Sequence, residues 1–305
     1  MSQNFSAAKM ADYFARFMAG ENAPEFATTF LMSYENQSVI FNDILDVSGK
    51  DVLALSTGCG DYYFNSILYG ANNVELFDIS RWNYFGQILK TEIIRHCEYD
   101  EFISFSDNRN ANFINTLTKV ANHLPEVISS TFKIACAQGL LDRMFFSPTN
   151  KDLNIASKHN PYYKTRKNYK KLQKILPAKE PKFTCCDVRR LPQTSKKYDC
   201  ILLSNLAVFV PLKKLIRCVS DALKPGGEIL AFVDTGLHTS VKLKKAGLDF
   251  EKFDGFQASW FSFTHGLDDK RSNRPKTFDS ISSLIDDASQ SWERYDMALL
   301  LTRTK

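Results

Sequence analysis

Val52-Leu53-Ala54-Leu55-Ser56-Thr57-Gly58-Cys59-Gly60-Asp61 decides how this chain is read. An apolar run followed at once by a small-residue turn predicts a buried strand over residues 51–55. The pattern then predicts a helix over 62–69, closed by Gly70, and a second strand over 74–79 that carries Asp78 near its end. Strand, glycine turn, helix, strand and acid follow the order of a β-α-β nucleotide-binding unit. Two glycines let the backbone approach a ligand closely and aim the N–H groups of a helix start at it.

Working outward, Ala7, Met10, Ala11, Phe14, Phe17 and Met18 recur at helical spacing over 7–19, and a second helix is predicted over 36–47. A long helix follows over 81–97, with Trp82, Phe85, Ile88, Leu89 and Ile93 on one face. Residues 99–180 hold helical patterns, and strand character returns at 182–187 and 198–205. A helix over 212–223, the tight turn Lys224-Pro225-Gly226-Gly227, a strand over 228–233 and a last strand over 296–302 complete the pattern. Trp260-Phe261-Ser262-Phe263 reads as core or as a substrate wall.

Several positions are placed for chemistry. Asp78 lies eighteen residues after Gly60, where a carboxylate accepts hydrogen bonds from ribose hydroxyls. A dinucleotide fingerprint wants a small residue three positions after Gly60, and Tyr63 stands there, which opposes a nicotinamide dehydrogenase. Asp187 ends another strand with Val188 beside it, suited to an adenine amino group and ring face. Ser204 and Asn205 end the 198–205 strand, and open α/β sheets bind ligands outside the carboxyl ends of their strands.

Together VLALSTGCG, the acid of LFD, the acid of CCD, YDCILLSN and ALKPGGEIL resemble the class I S-adenosylmethionine (SAM)-dependent methyltransferase superfamily. The resemblance covers roughly 50–90 and 182–235. It implies an α/β Rossmann-like fold with a mainly parallel sheet and SAM as cofactor. The expected cofactor contacts are Ser56, Thr57, Gly58, Gly60, Asp61, Asp78, Ile79, Asp187, Val188 and Ser204. One departure stands out: the superfamily places an acid two residues before the first glycine, and here that residue is Ser56.

A narrower similarity joins Leu89-Lys90, Ile93-Ile94-Arg95, Tyr99-Asp100-Glu101-Phe102-Ile103 and Ser33-Tyr34-Glu35-Asn36 to the family that contains the diacylglyceryl-homoserine (betaine lipid) synthase. That resemblance implies transfer of the 3-amino-3-carboxypropyl group, with methylthioadenosine left behind. Either displacement depends on which carbon is oriented at the nucleophile, and a base is needed only when the nucleophile carries a proton. Tyr34, Glu35 and Asn205, with Tyr62, are the candidate residues around the reacting atoms.

The whole chain has 305 residues, 44% hydrophobic and 24% charged, which excludes disordered, collagen-like and coiled-coil classes. The expected layout is an N-terminal helical lead over 1–50 and a SAM-binding α/β domain over 51–305, with a helical cap inserted at about 100–180. Net charge is +5, yet the segment between Lys158 and Lys182 carries nine Lys/Arg against Glu180 alone. Tyr162, Tyr163 and Tyr169 interleave with those charges, a mix suited to RNA, to an anionic membrane surface, or to a plain solvated helix face. The seven cysteines read as reduced thiols, the five histidines lack metal-ligand spacing, and no metal is expected. No apolar run approaches the roughly 20 residues of a membrane span, and no secretory leader is evident, so a cytoplasmic protein is expected. The reading is a SAM-dependent transferase acting on a small-molecule or lipid acceptor. Two further readings are a catalytically inactive SAM-fold binding module, supported by Ser56, and an RNA-binding protein.

Overall fold

A computed structural model describes residues 7–21, 29–30, 32–33, 35–55, 58, 60–106, 111–146, 154, 157–177, 181–193, 196–204, 206, 210–234, 253–264, 274–280, 283–284, 287 and 295–304. In chain order these form α1 (Ala7–Met18), β1 (Thr29–Phe30), α2 (Gln37–Val39), β2 (Asp51–Leu55), α3 (Asp61–Leu68), β3 (Asn73–Asp78) and α4 (Arg81–His96). Next come α5 (Tyr99–Phe105), α6 (Ala111–Val120), α7 (Glu126–Ala137), α8 (Leu141–Met144), β4 (Phe145–Phe146), α9 (Pro161–Lys164) and α10 (Arg166–Ile175). The chain continues with β5 (Lys182–Cys185), β6 (Tyr198–Leu203), α11 (Leu212–Ser220), β7 (Leu223–Asp234), β8 (Phe256–Thr264), β9 (Lys276–Phe278) and β10 (Tyr295–Arg303).

Eight strands form one sheet in the order β5-β3-β2-β6-β7-β10-β8-β9. The strands from β5 to β7 are parallel, while β10 runs antiparallel to both β7 and β8. This is the Rossmann-like, mainly parallel sheet that the sequence motifs imply. Central β2 is covered on both faces, which is why it reads as an unbroken apolar run. Val52 and Ala54 enter the core under α3 and α4, and Leu53 and Leu55 enter the core under α11. On α11, Leu212, Leu215, Ile216 and Val219 sit at helical spacing and are all buried.

Three elements differ from expectation. The helix predicted over 36–47 is a short α2 that widens into a π-helical turn, Ile40–Ile44. Lys224-Pro225-Gly226-Gly227 does not precede its strand as a separate turn. It lies within β7 as an irregularity in the pairing with β6, and Gly226 has φ +72°. A Cβ on Gly227 would lie 2.9 Å from the Asp199 carbonyl oxygen, so only glycine lets the strands close there. Trp260 and Phe263 lie on β8 and are buried core residues of the antiparallel half.

Between β3 and β5 the described elements are mostly helices, from α4 to α10. Tyr162, Tyr163 and Tyr169 are completely buried there, against Phe102 and against one another. This corrects the expectation that they could stack on RNA bases. Several cations of that segment are also engaged: Arg166 with Asp100 at 2.7 Å, Lys170 with Glu98 at 2.7 Å, and Lys171 Nζ with the Leu68 carbonyl at 3.1 Å. Near the N-terminus, α1 lays Tyr13 and Phe17 edge-on against Trp82 at 5.1 and 4.8 Å between centroids. Among the described residues, no helix is long and apolar enough to cross a membrane.

Candidate functional site

From β2 the chain moves outward to β3 and β5 on one side of the sheet, and from β6 to β7 on the other. The strand order therefore reverses between β2 and β6, and the crevice at their carboxyl ends is where such sheets bind ligands. The glycine turn leaves β2 at this point and Ser204 ends β6, its N–H donating to the Leu55 carbonyl at 3.4 Å. Gly58 has φ +45°, and a Cβ built on it would meet nothing within 4 Å. Gly60 caps α3 with φ +76°.

The structure brings Ser204 and Glu35 together. Ser204 Oγ donates to Glu35 Oε1 at 2.6 Å. Burial pushes the Glu35 carboxyl up from its ordinary 4.5 to about 7, against the lowering effect of hydrogen bonds from Ser204, Tyr62 and Ser33. The nearby Asp61 charge adds to the rise. No cation touches Glu35 among the described contacts; its partners are neutral donors.

The turn that presents Glu35 is fixed from several directions. Ser33 N–H donates to Asp61 Oδ2 at 2.7 Å, and Asn36 N–H donates to Asp296 Oδ2 on β10 at 3.1 Å. Asn36 also caps α2, accepting from Val39 N–H at 3.3 Å. Gln37 Nε2 reaches Glu35 Oε2 at 3.3 Å. Asn65 Nδ2 donates to Gln37 Oε1 at 3.3 Å and to Asn160 Oδ1 at 3.1 Å, and Asn160 Nδ2 donates to Asp61 Oδ2 at 2.8 Å. Lys90 Nζ closes the series on Asp61 Oδ1 at 2.7 Å, and the Tyr162 hydroxyl donates to the same oxygen. One buried polar network thus links α4, α3, α9 and the 33–37 turn to the sheet rim.

That network changes the reading of Asp61. Its carboxylate, completely buried, serves four donors within the protein: Lys90, Ser33, Asn160 and Tyr162. It is a structural anchor in this arrangement. Asp78, also buried, accepts from Ser80 N–H at 2.8 Å and from Asn83 Nδ2 at 2.7 Å, holding the start of α4. Ile79 follows half-buried, its carbonyl accepting from Cys185 Sγ at 3.4 Å. Asp187 is partly open and forms a side-chain pair with Arg189, whose hydrogen bonds hold its carboxyl below the usual range. Val188 is buried in the core beside Leu191. Ser56, Thr57, Tyr34 and Asn205 lie outside the described residues.

Sequence reasoning missed the amides. Gln37, Asn65 and Asn160 are completely buried, and so is Gln87 on α4. The signal was present in α3: all eight residues of Asp61–Leu68 are buried, so a polar Asn65 among aromatics must find internal partners. Gln87 is different. Its Oε1 stands 1.6 Å from where a Cβ on Gly60 would lie, and neither of its amide atoms has a hydrogen-bond partner among the described residues. Asn83 Oδ1 is likewise without one. Open space at Gly58 and buried amide atoms without partners among the described residues on the neighbouring helix fit a polar ligand at this crevice.

Residues 133–231, about a third of the chain, match the family model described as Methyltransferase domain. The match takes in Asp187, Val188 and Ser204 but not the glycine turn or Asp78. No curated protein matches the chain. Solved structures similar to it include a ribosomal protein L11 methylase from Lactobacillus delbrueckii subsp. bulgaricus, 13% identical over 85% of this chain and 72% of that one, TM-score 0.34. A putative SAM-dependent methyltransferase from Streptococcus mutans is 12% identical over 84% of this chain and 45% of that one, TM-score 0.35. A SAM-dependent methyltransferase from Clostridium acetobutylicum ATCC 824 is 12% identical over 98% and 99%, TM-score 0.33. With the strand order, the domain match supports the class I SAM-dependent methyltransferase superfamily, and it indicates SAM as the cofactor.

Proposed function

We propose that this protein is a SAM-dependent transferase that moves a group from the sulfonium to an acceptor carrying a proton on its nucleophilic atom, with Glu35 receiving that proton. The observation behind the proposal is the Glu35–Ser204 contact of 2.6 Å at the switch point of the sheet. A carboxyl held near 7 is matched to proton removal around neutral pH. The cofactor would supply an electrophilic carbon on a positively charged sulfur, which becomes neutral when it takes the bonding pair. The chain's own residues then have two tasks, positioning and proton acceptance.

Gly58 and Gly60 let the backbone approach the cofactor, Asp78 takes the ribose hydroxyls, and Asp187 with Val188 takes the adenine. Ser204 orients Glu35, and the amide network of Gln37, Asn65 and Asn160 keeps its carboxyl from turning away. Methyl transfer to a small-molecule or lipid acceptor is the first reading. Transfer of the 3-amino-3-carboxypropyl group is the second. It is favoured by the similarity of Ser33-Tyr34-Glu35-Asn36, Leu89-Lys90, Ile93-Ile94-Arg95 and Tyr99-Asp100-Glu101-Phe102-Ile103 to the family that contains the betaine lipid synthase. In that case the nucleophile bonds to the sulfur-bearing carbon of the amino-acid end, the bond from that carbon to sulfur breaks, and methylthioadenosine leaves.

Mass spectrometry of the spent cofactor tests both readings, with small-molecule and lipid extracts as acceptors. S-adenosylhomocysteine is expected for methyl transfer and methylthioadenosine for the other outcome. Intact SAM with every acceptor, together with no heat of binding in calorimetry, would remove the proposal.

A further inference from the structure

Gln87 is a buried carboxamide whose polar atoms both lack a hydrogen-bond partner among the described residues, pressed against Gly60 of the glycine turn. Protein interiors rarely leave such groups unpaired, because burying them forfeits their hydrogen bonds to water. An apolar side chain would fill the same volume without that cost. The carboxamide therefore points to a partner that is not part of the chain.

Resting on the reading of the crevice as a SAM site, we propose that Gln87 binds the zwitterionic amino-acid end of the cofactor: Oε1 accepts from its ammonium, and Nε2 donates to its carboxylate. Three observations select that end. First, position 56 holds Ser where the superfamily pattern has an acid, so the turn offers no carboxylate there to meet an ammonium. Second, Asp61, next to Gly60 in the chain, is occupied by Lys90, Ser33, Asn160 and Tyr162. Third, α4 spaces its polar groups along the crevice. Asn83 sits on Asp78, the ribose acid of this reading, and Gln87, one helical turn on, sits on Gly60. A neutral amide also suits a zwitterion, since acceptor and donor are both supplied and no unpaired charge is buried.

The test is calorimetry on the full-length protein and on Q87L, with SAM, S-adenosylhomocysteine and methylthioadenosine as titrants. Methylthioadenosine keeps the nucleoside and lacks the amino-acid end. The expected result is a loss of tenfold or more in affinity for SAM and S-adenosylhomocysteine, with methylthioadenosine unchanged and the melting temperature of the free variant equal or higher. Equal weakening of all three ligands, or no weakening of any, would overturn the assignment of Gln87 while leaving the crevice as the cofactor site. No binding of any of the three to the unmodified protein would overturn the site itself and this assignment with it. Should Q87L fail to fold, Q87M, which retains length and flexibility, is titrated with the same three ligands, and the same patterns of loss support or overturn the assignment.

Discussion

The amino ends of the parallel strands and the buried Glu35–Asp61 corner of their carboxyl ends treat their acids in opposite ways, whereas Asp187, at the open carboxyl end of β5, pairs with Arg189. At the amino ends, Asp199 meets Lys224 at 2.9 Å, Glu228 meets Lys50 at 2.8 Å, and Asp51 lies among Asn72, Asn73 and Lys224. Glu75 receives Lys182 at 2.8 Å, the Tyr198 hydroxyl at 2.8 Å, and Lys196. At the carboxyl ends, Glu35 meets only neutral donors and Asp61 has a single cation, Lys90, itself almost completely buried. The outcome follows the surroundings. Hydrogen bonds from Asn73 and Lys224 hold Asp51 below its ordinary value. For Asp199 and Glu75, burial acts upward but the lysines outweigh it, so both are also lowered. At Glu35 burial wins, because among the described residues no cation opposes it. One edge of the sheet is arranged for stability, and the other keeps a carboxyl that can change charge at neutral pH.

The largest expected effect comes from breaking the rim's ion pair. Lys90→Met leaves the Asp61 carboxylate buried without its cation, and removing one partner of such a pair costs about 3–5 kcal/mol. Urea unfolding should show a lower midpoint with unchanged slope. The double variant Lys90→Met with Asp61→Asn should be less destabilised than the single one. Equal or greater loss in the double variant would mean that the pair's charges were not the source of the cost.

Catalysis comes next. Glu35→Gln keeps the size and the hydrogen bond from Ser204 but cannot take a proton, so turnover should fall on the order of a hundredfold with SAM affinity nearly unchanged. Quantifying the spent cofactor at saturating SAM checks this. A variant with full turnover would remove Glu35 from the chemistry.

The pH dependence sharpens the contrast between the two ends. A base must be ionised to act, so the rate should rise with pH and level off above about 7, the value to which burial lifts Glu35. Stability runs the other way. Glu35 is raised in the folded chain, so its contribution is fully present below its ordinary 4.5 and is lost as pH rises through about 7. Asp51, Asp199 and Glu75 are lowered, so their contribution is present above their unfolded values and is lost as pH falls toward the depressed ones. Unfolding curves across pH should therefore show a Glu35-dependent decline between about 4.5 and 7 that Glu35→Gln abolishes, and an acid-side loss that it leaves intact.

Legibility in the sequence divides along the same line. The strands were readable because β2 and β6 are buried on both faces, and a short strand covered on both sides leaves an unbroken apolar run. The glycine turn and Asp78 were readable because positive φ and a strand-end acid leave marks at single positions. The network was not. Asn160 reaches Asp61 across 99 residues and Asn36 reaches Asp296 across 260, and no local spacing reports such pairings. Asp61 shows the difficulty: an acid beside a glycine turn looks the same whether it meets a ligand or four internal donors. The tyrosines of the basic segment misled for a related reason. Their amphipathic spacing on α9 and α10 shows that one face is apolar, but not whether that face meets the core or a partner.

The smallest expected effect belongs to the amino-end edge. Lys224→Ala removes a lysine shared by Asp199 at 2.9 Å and Asp51 at 3.4 Å, and its side chain is 37% exposed. Its removal leaves both acids with other donors: Asn72 and Asn73 on Asp51, and the Asp51 N–H on Asp199 at 2.9 Å. Water also reaches both carboxylates, so neither becomes an unpaired buried charge. The loss should be the smallest of the series and should shrink further in about 1 M salt, where exposed pairs are screened. The buried Lys90–Asp61 pair should respond far less to the same salt. If Lys224→Ala proved as costly as Lys90→Met, burial would not be what separates the two ends, and the physical basis for assigning proton transfer to Glu35 would weaken with it.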